Sequence, residues 1–404
     1  MAVPQSYLAV EAIGVSMITR EVIRELADFQ SSDGDAVTFY YQPNTPQDKS
    51  HRQEAIMVKD MVKEAMRKAE RAGKNGPVRA DLARILDLAE KLHGNQGKTK
   101  AVFACASKDF WREFDLPTRE AMNTKLQMNS RFHLRPLSAL SESLEKTCIC
   151  LVDRNKARMF EMEGDNIHEK EDLIGDMTRR VKSDGFEGFD AGHNERRFDN
   201  EAAAHYKRVG ERLLERYGYE RCDNILIGCR DEVWPAIEKH FHPYVKQRLA
   251  GHFVIDPIAS TPGEVRQHAL QMLERHRQIQ HHKLLGEVLD EARANNNGAL
   301  GLRRVLRAME QGEVQSLLLA DGFEAEGVEC SNCGHIDMRM VENCAVCGQK
   351  THDIDDMADA LIGRALRMRV HVVRITASSE FERAGNIGAL LRFRAERSMG
   401  EALA

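Results

Sequence analysis

Two closely spaced cysteine pairs constrain the fold of this chain more than any other feature. Cys330-x-x-Cys333 and Cys344-x-x-Cys347 lie ten residues apart, and Gly334 and Gly348 directly follow the second cysteine of each pair. A glycine at that place can take a positive φ, which lets backbone amides point at the thiolates of a tight turn. Four soft anionic ligands in two such turns suit tetrahedral Zn²⁺ with no open position. The pattern predicts a structural zinc site that stabilises a minidomain, and it does not indicate a catalysed reaction.

Other interpretations of these cysteines stay open. Two disulfides or four unrelated thiols fit the same residues. His335 and His352 lie close enough along the chain to compete as ligands, although four thiolates already complete a shell. The other five cysteines sit mostly within apolar runs, which indicates buried reduced thiols in a cytosolic protein: Cys105, Cys148, Cys150, Cys222 and Cys229.

Length and composition set the frame. A chain of 404 residues with 42% hydrophobic residues is expected to form two to four domains of roughly 100–200 residues each. The net charge of -5 does not by itself indicate a nucleic-acid partner, so any binding of nucleic acid must come from local basic patches. The N-terminus lacks a basic start followed by an apolar stretch, and no apolar run approaches bilayer length. We therefore expect a cytoplasmic protein without a membrane partner.

The alternation of strand and helix patterns predicts an α/β multidomain protein in three blocks. The first block, residues 1–145, contains a strand at 36–43, helices near 53–72 and 81–92, and the buried strand "KAVFACAS". The apolar positions of the 53–72 helix are expected to face the core: Ile56, Val58, Met61, Val62, Ala65 and Met66.

The second and third blocks continue the alternation. The second block, residues 146–275, has two strands joined by a polar turn at 153–156, a long polar stretch at 169–200, a helix at about 201–217, and the strands "NILIGC" and "GHFVID". A charged helix at about 262–294 leads into the third block, residues 276–404. There a helix, a stop at Gly312 and a buried strand precede the cysteine minidomain at 325–352, which is followed by a helix near 356–366 and two strands.

These patterns carry a family resemblance. The order "VLRAMEQGEVQSLLLADGF", a cysteine insertion, a strand and "ERAGNIGALLRFRA" resembles the third domain of the archaeal and eukaryotic class-one peptide chain release factors and of Pelota. The segments "FWREFDLPTREAMNTKLQMNSRFHLRPL" and "CICLVDRNKARMFEME" resemble the bacterial branch of that family. The resemblance implies a ribonuclease H-like middle domain and a kink-turn-binding-protein-like third domain. Balon-type ribosome hibernation factors are its nearest functional model.

Two motifs of that family are missing. Release factors place a Gly-Gly-Gln tripeptide on a middle-domain loop, where it positions a water for attack on the peptidyl-tRNA ester. The corresponding stretch, residues 183–209, contains no Gly-Gly pair and no glutamine. The first block also lacks the Asn-Ile-Lys-Ser motif that reads stop codons. We therefore expect a protein that is not a hydrolase.

The same stretch is rich in cations beside glycines. Arginine forks and a histidine near Gly185, Gly188 and Gly192 suit contacts with RNA backbone and bases. The candidate RNA-binding residues are Arg179, Arg180, Lys182, His193, Arg196 and Arg197. Interleaved acidic residues favour the alternative of a solvated charged loop. "GALG" at 298–301 is either an RNA-facing turn ahead of Arg303 and Arg304 or an ordinary helix start.

Two classes of function remain. The first is a ribosome-binding factor, without enzymatic activity, that occupies the aminoacyl site of an idle ribosome and protects it. The second is a peptidyl-tRNA hydrolase or rescue factor that uses His193 or Asn194 to position water. The resemblance implies ribosomal RNA as partner, with peptidyl-site tRNA and a translational GTPase such as elongation factor Tu as further candidates.

Overall fold

The computed structural model describes residues 18–31, 34–42, 52–71, 73, 76–91, 99–116, 123–164, 166–174, 191–218, 221–330, 332–354, 356–376 and 378–394. The chain divides into two compact units, one of residues 1–141 with 285–404 and one of residues 142–284. The protein is thus an α/β multidomain protein. The finer division into three domains, with its ribonuclease H-like and kink-turn-binding-protein-like assignments, stays a prediction.

The first block is a four-stranded antiparallel sheet with helices on one face. Its elements are α1 (Arg20–Asp28), β1 (Ala36–Tyr41), α2 (Arg52–Arg71), α3 (Pro77–Lys91), β2 (Thr99–Cys105), β3 (Phe110–Leu116), β4 (Lys125–Asn129) and α4 (Arg135–Ser143). The strand order is β3-β2-β1-β4, so the fully buried β1 and β2 are central. Val58 and Val62 of α2 pack with Leu82 and Ile85 of α3 against this sheet.

One expectation for the first block needs correction, and three of its elements are additions to the prediction. Ile56 faces solvent with 49% exposure, since α2 turns its Val58 side to the sheet. Strands β3 and β4 and helix α1 were not predicted. Charged residues interrupt both strands, and each strand lies at an edge of the sheet, where one side meets solvent and polar residues are tolerated.

The unit of residues 142–284 has a mixed five-stranded sheet. Its elements are β5 (Thr147–Val152), β6 (Lys156–Glu163), β7 (Asn166–Ile174), α5 (Ala191–Tyr217), β8 (Asn224–Cys229), α6 (Trp234–Ile237), α7 (Pro243–Gln247), β9 (Leu249–Val254) and the first part of α8 (Pro262–Arg293). The order is β7-β6-β5-β8-β9, with β5 to β7 antiparallel and β8 parallel to both β5 and β9. Helix α5 covers one face, and Val265 and Ala269 of α8 cover the other.

The predicted polar stretch at 169–200 is wrong at both ends. Strand β7 extends to Ile174 because its backbone pairs with β6 across a turn at Gly164, whose φ is 58°. Helix α5 begins at Ala191, ten residues before the predicted start near Glu201. Packing of Tyr206, Val209 and Leu213 in the core anchors this helix. Because residues 191–200 contain no proline, propagation toward the N-terminus costs little.

The third block forms a second sheet with the cysteine minidomain inserted. Its elements are β10 (Gly298–Leu300), α9 (Leu302–Glu310), β11 (Val314–Ala320), β12 (Gly327–Cys330), β13 (Ile336–Asp337), β14 (Thr351–Ile354), α10 (Met357–Arg367), β15 (His371–Ile375), α11 (Ser379–Arg383) and β16 (Ile387–Leu391). The larger sheet has the order β10-β16-β11-β15, and the small one β13-β12-β14. Both contribute to one core with α9 and α10, which includes Leu317, Ile336 and Leu361.

Two further observations bear on the sequence analysis. The five cysteines outside the minidomain are all buried and free, as predicted. Among the described residues no helix combines the length and apolar character needed to span a bilayer.

Candidate metal centre

The two cysteine pairs form two turns with the same backbone hydrogen bonds. Cys330 N–H donates to the carbonyl of His335 at 2.9 Å, and the carbonyl of Cys330 accepts from Gly334 N–H at 3.0 Å. In the second turn Cys344 N–H donates to the carbonyl of Gln349 at 2.8 Å, and the carbonyl of Cys344 accepts from Gly348 N–H at 2.9 Å. The two glycines have φ of 68° and 73°, as their position after the second cysteine predicted. A side chain at either position would be strained.

The turns bring all four sulfurs together. The Sγ atoms of Cys330 and Cys347 are 3.4 Å apart, and those of Cys333 and Cys344 are 3.6 Å apart. All four lie within 4.8 Å of one another. Zn–S bonds of about 2.3 Å place sulfurs about 3.8 Å apart in a tetrahedron. The cluster is close to that geometry, and all four cysteines are free thiols rather than disulfides.

Backbone amides tune the thiols. The N–H of Val346 points at Cys344 Sγ from 3.3 Å. The backbone N–H of Gln349 lowers the pKa of Cys347 to about 6, whereas desolvation raises the pKa of Cys333 to about 12. One thiol therefore loses its proton near neutral pH, and a bound cation would displace the protons of the other three thiols.

The neighbouring imidazoles face elsewhere. His335 Nδ1 lies 2.8 Å from Glu310 Oε1, and His352 Nε2 lies 3.9 Å from Glu329 Oε2. Among the described residues, Cys330, Cys333, Cys344 and Cys347 are the set of side chains arranged to hold a metal ion. With four thiolates the shell is full, so the site can staple the fold but cannot activate a substrate.

Three of the six candidate RNA-binding residues lie on helix α5. Arg179, Arg180 and Lys182 lie outside the described residues. His193, Arg196 and Arg197 lie in the first two turns of α5, so they are on a helix rather than on a loop as predicted. Lys207 and Arg208, further along α5, are exposed. Whether any of them contacts RNA stays a prediction.

The "GALG" segment contains a short strand followed by a helix start, and whether it faces RNA stays a prediction. Gly298–Leu300 forms β10, paired antiparallel with β16. Gly301, with φ of 81°, then begins α9 as its N-cap. Arg303 and Arg304 are exposed in the first turn of that helix.

A polar junction between the first and third blocks escaped the sequence analysis. Asp359 Oδ1 accepts from the backbone N–H groups of Leu134 and Arg135, each at 2.9 Å. Arg135 also donates to both oxygens of Asp356 at 3.1 and 3.0 Å. Two carboxylates at the N-terminus of α10 thus bind the N-terminus of α4, beside a cavity of about 380 Å³. No local pattern could reveal these contacts, because the partners are more than 220 residues apart.

Sequence comparisons show which known proteins this chain resembles. Residues 133–274 match the family model "Bacterial archaeo-eukaryotic release factor family 10". Peptide chain release factor subunit 1 of Pyrococcus abyssi is 25% identical over 312 residues, covering 68% of this chain and 73% of the relative. The same protein of Methanobrevibacter smithii is 24% identical over 302 residues, covering 66% and 70%.

Solved structures align along most of the chain at low similarity. An archaeal translation termination factor has 15% identity and a TM-score of 0.24, covering 93% of this chain and 99% of that one. Archaeoglobus fulgidus Pelota has 10% identity and a TM-score of 0.37, covering 94% and 93%. The assignment therefore rests on the sequence matches and on the motifs quoted above. Over residues 133–274 the chain thus matches a bacterial family of archaeo-eukaryotic release factors, and over 312 residues it is similar to an archaeal peptide chain release factor.

Proposed function

We propose that this protein is a ribosome-binding translation factor that occupies the aminoacyl site of idle ribosomes and protects them, as a hibernation factor does. One observation carries the proposal. The chain is similar over 312 residues to a peptide chain release factor, yet its stretch 183–209 contains no Gly-Gly pair and no glutamine. Such a chain would keep the ribosome-binding part of a release factor without the group that positions the attacking water. On this proposal the protein is cytoplasmic and is not an enzyme.

The cation-rich segment is the proposed contact with RNA. Arg196 and Arg197 lie on neighbouring positions of α5, and His193 lies one turn before them. Neighbouring guanidinium groups on one helix end can bind phosphates, and each such contact adds a salt-dependent increment to affinity. Arg179, Arg180 and Lys182 precede the helix and extend the same charge. Peptidyl-site tRNA and a translational GTPase such as elongation factor Tu are further proposed partners.

The four thiols are the proposed ligands of one structural Zn²⁺. The tetrahedral arrangement of soft sulfur ligands supports zinc over harder cations. Protein purified without added metal is expected to contain one zinc per chain by elemental analysis. A metal-free chain with a folded third block would contradict this. Cys344→Ser should remove the zinc and unfold the minidomain while the unit of residues 142–284 stays intact, because a structural zinc contributes about 10 kcal/mol or more to the element it holds.

A peptidyl-tRNA hydrolase or rescue factor is the alternative, and the release-factor relatives support it equally. Programmed ribosomes carrying peptidyl-tRNA distinguish the two. The proposal expects the protein to bind and inhibit translation while the peptidyl-tRNA stays intact. Hydrolysis that is lost in His193→Ala or Asn194→Ala would establish the alternative instead.

A triple variant tests the RNA contact. Replacing His193, Arg196 and Arg197 with alanine should weaken ribosome binding, and each lost phosphate contact should lower the salt slope by about one. The matched control replaces exposed residues of the same kinds on α8: Arg275, His282 and Lys283. If both variants bind like the wild type across a salt series, the contact lies elsewhere in the chain.

A further inference from the structure

We infer that the metal site also holds the end of helix α1 against the third block, so that loss of the metal releases this part of the first block. The inference rests on the proposed zinc. Its structural basis is a set of contacts, here called the coupling cluster, that connects the cysteine turns to α1: Gln30, Arg131, Glu329, Gly334, Arg364 and Arg367.

The first connection runs along strand β12. Glu329 and Cys330 are the last two residues of this strand, so their side chains point to opposite faces. The Glu329 side chain is only 8% exposed, and its Oε1 lies 3.4 Å from Nε of Arg131. Arg131 follows β4 of the first block and donates to Gln30 Oε1 at 2.8 Å. Gln30 comes two residues after α1, so one arginine joins the metal-bearing strand to the end of this helix.

The second connection runs through the first cysteine turn. The carbonyl of Gly334 accepts from Arg364 of α10 at 3.4 Å. A Cβ at Gly334 would lie 3.5 Å from the guanidinium of Arg131, so the turn itself borders the first connection. One helical turn after Arg364, Arg367 donates to the carbonyl of Ala27 in α1 at 3.4 Å.

Charge makes the cluster sensitive to the position of Glu329. Burial and the neighbouring guanidinium groups of Arg131 and Arg364 together lower the pKa of Arg367 to about 10, while Glu329 and Asp28 oppose the shift. Three like charges are therefore held together around one buried carboxylate. Moving Glu329 away leaves mutual repulsion between groups that lie partly out of water.

The metal is what fixes Glu329 and Gly334. Strands β12 and β14 have four residues each, and β13 has two. Three strands as short as these have little stability by themselves. Without a cation no disulfide or coordinate bond links the cysteine side chains of the two turns. Metal loss would then free both ends of the coupling cluster.

A separate attachment limits the effect to α1. Leu134 and Arg135 are held by Asp359 of α10, and α10 is anchored in the core by Leu361 and Ile362. These amides should stay protected when the metal leaves. Amide hydrogen exchange can therefore separate release of α1 from unfolding of the whole unit.

The experiment compares three variants with the wild type, using zinc content and amide exchange as readouts. In Cys347→Ser we expect no zinc, at least tenfold faster exchange of the α1 amides, and unchanged exchange at Leu134 and Arg135. Glu329→Gln should keep one zinc and still accelerate exchange in α1. Glu342→Gln, at an exposed position of the minidomain, should match the wild type. Chelation of the wild type should reproduce the Cys347→Ser result and reverse on adding zinc.

The outcomes separate the inference from the metal assignment. If the α1 amides of the zinc-free variant exchange at the wild-type rate, the coupling is overturned, while the assignment of the zinc site still stands. A wild type that binds no zinc overturns the metal assignment instead. Equal acceleration at α1 and at Leu134 would mean general unfolding, which also contradicts the coupling. If Cys347→Ser does not fold, the Glu329→Gln variant and the chelated wild type decide the question.

Discussion

Removing the Asp359 carboxylate should destabilise the larger unit by about 3 kcal/mol. The Asp359 side chain is 17% exposed, and it contacts Nδ1 of the buried His133 at 2.9 Å. Its Oδ1 also accepts two backbone N–H groups, from Leu134 and Arg135, at 2.9 Å each. A hydrogen bond to a charged group contributes about 1.5–3 kcal/mol, so two at the lower value give about 3 kcal/mol. Asp359→Asn keeps one acceptor and should cost about half as much.

Urea unfolding followed by circular dichroism measures this effect. The transition of the unit of residues 142–284 provides an internal reference, because Asp359 lies in the other unit. Asp60→Ala is the matched control. Its side chain is 69% exposed and pairs only with Lys63 at 3.8 Å among the contacts resolved for it, so the change should stay within about 0.5 kcal/mol. If Asp359→Ala and Asp60→Ala agree within that margin, the junction contributes no stability.

Two further predictions concern pH and packing. Burial lowers the pKa of His205 below its usual value near 6.5, so the unfolded chain binds a proton before the native one does. The contribution of neutral His205 to the stability of the unit of residues 142–284 is then fully present above that value and is lost as pH falls below it. Between pH 7.5 and 5.5 the unfolding free energy should therefore fall less in His205→Asn than in the wild type. Gly286→Ala should stabilise by up to about 1 kcal/mol in thermal unfolding, because a Cβ at this helical position meets nothing within 4 Å. Gly327→Ala should instead destabilise by about 1–3 kcal/mol, because its Cβ would lie 2.6 Å from the backbone carbonyl oxygen of Asp337 as well as 2.1 Å from Met357 Cε; equal melting temperatures for the two variants would contradict this packing.

The clustering of the four cysteines was predictable because its information is local. Each cysteine pair and its glycine lie within five consecutive residues, and the same backbone hydrogen bonds follow from the same spacing in both turns. The long helix α8 was predictable for a similar reason, since its pattern is continuous over 262–293. In both cases short-range hydrogen bonds decide the structure.

Features that depend on distant partners could not be predicted. Strand β7 is rich in charged residues, and only its pairing with β6 makes it a strand. The start of α5 was misplaced because glycine and polar residues at 191–200 resemble a loop until the packed part of the helix is known. The coupling cluster is further beyond sequence reasoning, since Arg367 and Ala27 are 340 residues apart.

Sedimentation with vacant ribosomes, combined with chemical probing of aminoacyl-site nucleotides, tests the central claim most directly. The account predicts that the protein pellets with ribosomes at low salt, protects nucleotides of the aminoacyl site, and leaves peptidyl-tRNA intact on occupied ribosomes. Protein that stays in the supernatant at every salt concentration, or binding that protects no aminoacyl-site nucleotide, would contradict it.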